Sequence, residues 1–322
     1  MKKWKILYDV MLVVFTAFVL LKTFVISDVK TAQAESTGIY TETSADTSSS
    51  GSSGSSSTGT AASGTAASDT SSSGSDSTAV ITENSYQDDN ISITVTEERI
   101  DGTTVYIADI TVSSVEYLKS AFADNAYGRN IKETTSQMAE ENSAILAING
   151  DYYGFRDYGY VLRNGTLYRS NYSSKNDEAF VIYEDGSCET VKEGSASASS
   201  LQENGAVQVY SFGPGLVENG TISVSQNEEV SQSKSSNPRT AIGMISPLHY
   251  VFVVSDGRTS ESTGLSLYQL ASCMQDLGCT EAYNLDGGGS STIYFNGQVI
   301  NNPTDGNKSG EREVSDIVYI GY

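Results

Sequence analysis

The chain has 322 residues, with 19 Lys and Arg against 40 Asp and Glu, a formal net charge of −21. That balance argues against nucleic acid as a partner, because no extended cationic surface remains to neutralise a phosphate backbone. Three Cys are too few for a disulfide scaffold, and a single His rules out a His-rich zinc site.

Lys2, Lys3 and Lys5 precede a mostly apolar stretch at 6–26, interrupted by Asp9 and Lys22. Its length suits one membrane-spanning helix, and the lysines predict that the short end stays inside the cell. Ala32-Gln33-Ala34 also fits a signal-cleavage pattern. Residues 1–34 are therefore expected to be a membrane anchor or a signal segment, with the uncleaved anchor preferred. Either one delivers the rest of the chain to the extracellular side. Residues 35–79 are dominated by Ser, Thr, Gly and Ala, have no apolar face to bury, and predict a disordered tether. Residues 80–322 remain, enough for one large core.

In that region, strands are expected at 91–97 and 104–112 around the hairpin signal Asp101-Gly102. A helix is expected at 132–141. The run at 144–149 is apolar without alternation, as in a strand buried on both faces. A hairpin at 240–245 and 250–254 turns at Ser246-Pro247. The clearest helix follows: Ser266 as N-cap, Gln269 completing a capping box, and an apolar stripe of Leu267, Leu270, Ala271, Met274 and Leu277, stopped by Gly278. A short strand at 281–285 precedes two more at 292–295 and 298–301 around Asn296-Gly297, and 314–320 closes the sheet. The fold class is α+β: a single globular domain with a mixed, strand-rich sheet and a few packed helices. Cys273 and Cys279 are close enough in sequence to bridge, but buried or unpaired thiols are the preferred expectation.

Three of the apolar strands end abruptly in similar clusters: Asn149-Gly150-Asp151, Asp256-Gly257-Arg258 and Asp286-Gly287-Gly288-Gly289-Ser290-Ser291. If the strands lie side by side in one direction, these ends meet at a single sheet edge, where ligands usually bind. Asn-Gly-Asp and Asp-Gly-Arg alone are ordinary turn chemistry. Three consecutive glycines are harder to explain as a turn, because each costs backbone entropy. They predict close backbone approach to a ligand, with N–H groups forming an anion nest and the following hydroxyls donating to phosphate or sugar oxygens. Arg239, Arg258 and Arg312 are the cations beside these motifs, and a guanidinium fork suits phosphodiester oxygens. His249, at a hairpin, is expected to be structural or exposed rather than catalytic, so a Ser-His-Asp triad is disfavoured. Carboxylates are left as acid, base or nucleophile, the residues of glycoside hydrolysis. Carboxylates and carbonyls also suit Ca²⁺ or Mg²⁺ better than zinc.

At these motifs, together with Asn237-Pro238-Arg239-Thr240-Ala241-Ile242-Gly243 and Asn284-Leu285, the chain resembles the phosphodiester glycosidase family over roughly residues 90–322. Bacterial members are associated with exopolysaccharide. The resemblance implies hydrolysis of a sugar-1-phosphodiester, releasing sugar and leaving a phosphate monoester on the other partner. It implies that Asn149, Asp151, Arg239, Arg258, Asp256, Asn284, Asp286, Gly287, Gly288, Gly289, Ser290, Ser291 and Arg312 line a site. Asp286 is expected as nucleophile or general base, and Asp151 or Asp256 is expected to orient the sugar or activate water. Arg239 and the glycine backbone are expected to hold phosphate. Two alternatives stay open: a phosphodiesterase cutting the P–O bond, and a tethered glycan-binding or polymer-organising module without turnover. The expected partner is a phosphodiester-linked glycan or cell-envelope polymer.

Overall fold

The computed structural model describes residues 30–31, 79–227, 236–306 and 308–322. The expected anchor helix and tether lie outside these residues. Among the described residues no helix is long and apolar enough to cross a membrane.

The largest sheet has nine strands. Its central strands are Glu281–Asn284, Arg239–Ser246, His249–Ser255, Thr103–Val112 and Ile91–Ile100, in that spatial order. A five-stranded sheet carries Ile293–Phe295, Leu146–Asn149, Asp316–Ile320 and Leu118–Phe122 as neighbours. A second five-stranded sheet, built from residues 161–210, runs Thr166–Arg169, Val161–Arg163, Ala206–Tyr210, Glu178–Tyr183, Cys188–Lys192. Each of these pairings is antiparallel.

One core joins all three sheets. Ile242, Phe252 and Val254 come from the large sheet, Leu146, Ile148 and Val318 from the second, and Phe180, Ile182 and Tyr210 from the third. The outer face of each sheet is covered by one helix. Leu267–Asp276 buries Leu270, Ala271 and Met274 against Val251, Val253 and Ala241. Thr135–Glu141 sets Met138 and Ala139 on Ala147, Ile317 and Tyr319. Ala198–Glu203 sets Leu201 on Ala179, Val181 and Val209. Side chains alternate across a strand, so Phe252 points to the shared core while Val251 and Val253 point to the helix. This is why the central strands read as unbroken apolar runs although they pair antiparallel.

Local signals hold where the chemistry is local. Asp101-Gly102 and Asn296-Gly297 both turn with positive φ (47° and 77°, 47° and 88°), the backbone that two-residue hairpins demand. The Ser266–Gln269 capping box forms, and a second one, Thr134 with Gln137, opens the earlier helix. The 314–320 run forms Asp316–Ile320 and lies between Leu146–Asn149 and Leu118–Phe122 rather than at an edge. Cys188, Cys273 and Cys279 are all free and buried.

Candidate functional site

The expectation that the three motif-bearing strands share one sheet is corrected. His249–Ser255 and Glu281–Asn284 flank Arg239–Ser246 in the large sheet, each antiparallel to it. Their C-terminal ends therefore lie beside its N-terminal Arg239. Leu146–Asn149 belongs to the second sheet. Its end is brought to the same place by packing of the sheets, and Asn149 makes the join. The Asn149 amide donates to the Asp286 carbonyl at 2.7 Å and accepts from Thr240 Oγ1 at 2.8 Å and from the Thr292 N–H at 3.3 Å. Both ends of this fully buried side chain are occupied. Asn149 thus staples the site together and does not present its amide to a ligand.

Asp286 follows the last residue of Glu281–Asn284 by two positions and is partly exposed. Oδ1 accepts from the Gly287 N–H at 2.9 Å and Oδ2 from Ser290 Oγ at 2.6 Å. Burial pushes its carboxyl up to about 6, against the pull of the Ser290 hydroxyl, the Arg312 charge and the Gly287 N–H. That places it in the range of a group able to exchange protons near neutral pH.

The three glycines are needed, but their first neighbours are protein groups. A Cβ on Gly287 would lie 2.9 Å from the Pro238 carbonyl, one on Gly288 would lie 2.7 Å from Arg258 Nη2, and one on Gly289 would lie 2.7 Å from Arg312 Nη2. The expected open anion nest is corrected at two of its N–H groups. Gly287 donates to Asp286, and Gly288 donates to the Pro238 carbonyl at 2.8 Å. The 3-10 turn Gly288–Ser290 instead presses Arg258 and Arg312 against consecutive residues just after Asp286.

The Arg312 guanidinium donates through Nε and Nη2 to Asp305 Oδ1 at 3.0 and 2.6 Å, and its backbone N–H donates to the Gly289 carbonyl. Arg258 is exposed, sits at a φ of 64°, and donates to Asn237 Oδ1 from Nε and Nη2. Arg239 is different. It is buried at 3% exposure, with Nε donating to the Leu265 carbonyl and its backbone N–H to Ser255 Oγ. Its guanidinium holds the segment at Leu265 against the start of its own strand.

Two of the three expected catalytic carboxylates are committed elsewhere. Asp151 turns inward: Oδ1 accepts from the Tyr153 N–H, and Oδ2 from the Ser211 N–H, beside Arg163 Nη2 at 3.0 Å. The residue expected to orient sugar or activate water is thus held in a buried ion pair. Asp256 is 6% exposed and its Oδ1 accepts from the Asn302 N–H at 2.9 Å, pinning the 301–302 loop. Burial raises its carboxyl. Asn284 and Ser291 are buried, with Asn284 Oδ1 and Ser291 Oγ making no hydrogen bond, although Asn284 Nδ2 donates to the Gly213 carbonyl. Unsatisfied buried polar atoms of this kind cost about 1–3 kcal/mol each, and others lie away from this cluster, at Thr135 and Thr190, so these two do not by themselves mark a ligand site.

Sequence reasoning missed Arg163 and Asp316. Asp316 Oδ2 accepts from Arg163 Nε and Nη2 at 3.0 and 2.8 Å, so one guanidinium is clamped between Asp151 and Asp316 and lies over the Tyr210 ring. Burial, outweighing Arg163, pushes the Asp316 carboxyl up, with the charges of Asp151 and Asp286 adding to it. An acidic residue inside the apolar run 314–320 was the available signal. Arg163, ahead of Asn164-Gly165, reads as an ordinary hairpin end. His249 lies at the far end of its strand, against Asp109 at 3.0 Å, as expected of a structural residue. Among the described residues no group of three or more His, Cys, Asp or Glu side chains is placed to hold a metal ion.

Comparison with known proteins gives the family and the fold. The family model described as phosphodiester glycosidase matches residues 142–321. The SPbeta prophage-derived uncharacterized protein YomE of Bacillus subtilis is 32% identical over 202 residues, covering 61% of this chain and 31% of that protein. The N-acetylglucosamine-1-phosphodiester alpha-N-acetylglucosaminidase of Mus musculus is 28% identical over 210 residues, covering 59% of this chain and 40% of the enzyme. The chain thus spans well under half the length of these curated relatives. The solved catalytic domain of the zebrafish N-acetylglucosamine-1-phosphodiester alpha-N-acetylglucosaminidase, auto-inhibited by its pro-peptide, shares the fold with a TM-score of 0.58 at 23% identity, covering 72% of this chain and 83% of that one.

Proposed function

Since the chain belongs to the phosphodiester glycosidase family, we propose that it hydrolyses the glycosidic bond of a sugar-1-phosphodiester. The observation that carries this reading is Asp286. The residue is partly exposed at the meeting point of the sheets, its carboxyl is raised to about 6, and the Arg258 and Arg312 guanidinium groups lie against Gly288 and Gly289 just after it. The mouse relative's name supplies the substrate class.

In this reading the sugar C1–O bond breaks with its electron pair leaving on the phosphate oxygen. Positive charge gathers on the ring, and a hydroxyl from water ends on C1. Ionised Asp286 acts at the anomeric carbon, as nucleophile or as the base that takes the water proton. Arg312 and Arg258 hold the phosphate as it becomes a monoester, and stabilising that departing charge lowers the barrier. Both guanidinium groups are already oriented, by Asp305 and Asn237, so little reorganisation is needed as charge develops. Asn149, Asp151, Asp256 and Arg239 position the strand ends.

The lysine-then-apolar N-terminus supports a proposed extracytoplasmic, membrane-anchored placement. The substrate would then be a phosphodiester-linked glycan of the cell envelope or exopolysaccharide.

The test is hydrolysis of a uridine-diphosphate sugar and a panel of sugar-1-phosphodiesters in heavy-oxygen water. The heavy label is expected in the free sugar. Label in the phosphate would establish P–O cleavage instead, and binding without turnover of any diester would establish a glycan-binding module.

A further inference from the structure

A cavity of about 420 Å³ opens between the N-terminal strands and the Asn296-Gly297 hairpin, within the size range of small-ligand sites. Its apolar wall is Val95, Tyr106, Phe295 and Ile300. The polar groups around it are Glu83, Asn84, Glu97, Asn296 and Gln298, all five exposed. No Lys or Arg lines it.

That combination is selective. Two carboxylates with no cation disfavour phosphate or any other anion. Aromatic and aliphatic surface suits the C–H face of a pyranose, and three amides with two carboxylates suit its hydroxyl groups. Burial, then the Asp256 and Glu97 charges, push the Tyr106 hydroxyl up to about 12, so it stays protonated as a donor.

The cavity is also coupled to the candidate site through one short loop. Ile300 forms part of its wall. The next residue, Asn301, donates to the Ser291 carbonyl at 3.0 Å and approaches Asp256 Oδ1 at 3.4 Å. Asn302 continues the same contact through its N–H. Ser291 lies five residues beyond Asp286 in the same segment.

We propose that this cavity is a saccharide subsite that takes a neutral sugar unit of the substrate, separate from the arginines that take its phosphodiester. The inference deepens the proposed function and rests on it for the glycan character of the substrate. It divides the work between the two regions. The cation-flanked Asp286 end takes the charged linkage, and the cation-free cavity takes an uncharged ring further along the chain. It therefore favours a polymeric or oligomeric substrate over a small diester.

The test uses neutral trisaccharides that contain no phosphodiester: chitotriose, maltotriose and cellotriose. Each is titrated into the full chain, with binding followed by saturation-transfer NMR and calorimetry. At least one is expected to bind, and inorganic phosphate is expected not to displace it. The double variant Glu97→Gln/Gln298→Ala, changed only at exposed side chains, is expected to weaken that binding at least tenfold. Its turnover of a small uridine-diphosphate sugar is expected to stay unchanged. Failure of all three trisaccharides to bind, displacement by phosphate, or undiminished binding in the variant overturns the proposal. Because binding is read without hydrolysis, a chain that fails to cleave any diester but still binds a trisaccharide refutes the enzyme reading and leaves the subsite standing.

Discussion

Asp286 works against its surroundings. Burial raises it to about 6, while a carboxylate in an unfolded chain titrates near 4. The folded value lies above the unfolded one, so ionising Asp286 costs stability. The cost is absent at low pH, grows as pH rises past about 4, and is complete above about 6. Asp286→Asn removes it. The amide can still accept from the Gly287 N–H, and Ser290 can turn its hydroxyl to accept in return. The variant is therefore expected to lose sugar release altogether yet to melt a few degrees higher at pH 7.5. Discounted for partial exposure, the gain is about 1 kcal/mol, and it should shrink toward pH 4. Melting curves at the two pH values, alongside the hydrolysis assay, check both halves. In the parent, turnover that needs ionised Asp286 should fall as pH drops through about 6. Arg312 lowers the Asp286 value by its charge. In Arg312→Ala the acidic limb of the pH–rate profile is therefore expected to move to higher pH, and KM for the diester to rise. An unmoved limb would show that Arg312 does not act on Asp286.

At the scale of elements, the strand ends are held by close approaches that only glycine permits. A Cβ on Gly150 would lie 2.3 Å from Asp316 Oδ1, a buried carboxylate whose other oxygen is fixed by Arg163. Gly150→Ala is expected to cost about 3 kcal/mol by overpacking, read as a lower urea midpoint. At Gly289 the same substitution meets Asp305 and Arg312, whose side chains are partly exposed at 44% and 39% and can yield. Gly289→Ala is expected to cost about 1 kcal/mol but to weaken turnover, since it displaces the arginine. Comparing the two variants by urea denaturation and by initial rate separates a packing role from a site role. These elements show what could be read in advance. The capping box at Ser266 and the Asn296-Gly297 turn depend on residues within four positions of each other, and both formed as expected. The glycine triplet was recognised as an approach site. What approached it, Arg258 and Arg312, came from 30 residues before and 23 after Gly288–Gly289, beyond the reach of local pattern.

Across the whole molecule, three sheets share one core, and the Asp151–Arg163–Asp316 cluster is the charged joint between two of them. Arg163 belongs to the sheet built from residues 161–210, while Asp316 belongs to the sheet that carries Leu146–Asn149. Two carboxylates face one guanidinium there, and burial pushes the Asp316 carboxyl up. Its folded value again exceeds the unfolded one near 4, so ionising it costs stability, and that cost builds as pH rises from about 4 toward neutrality. Parent protein is expected to lose stability between about pH 4.5 and about pH 7.5, and Asp316→Asn, which leaves Arg163 paired with Asp151, is expected to reduce that loss. Chemical denaturation at the two pH values measures it.

The sequence by itself determined the α+β class, the helix at 267–276 with its caps, a helix near 132–141, the tight turns and the motif residues, because each depends on neighbours along the chain; the helix Ala198–Glu203 went unread. It also supplied Asp286 and the arginines beside it as the chemical groups. It left the sheet of residues 161–210 unread although Ala179-Phe180-Val181-Ile182-Tyr183 is an unbroken apolar run within it, since the strands around that run are short and half-polar. Only the tertiary structure decided which carboxylate stays available. Asp151, Asp256 and Asp286 stand in similar turn-like clusters, and nothing local separates them. Asp151 is paired with Arg163, Asp256 is occupied by the 301–302 loop, and Asp286 is the one residue of the three that is not fully buried. A carboxylate's role depends on the charge and donors packed around it, and those partners arrive from other sheets.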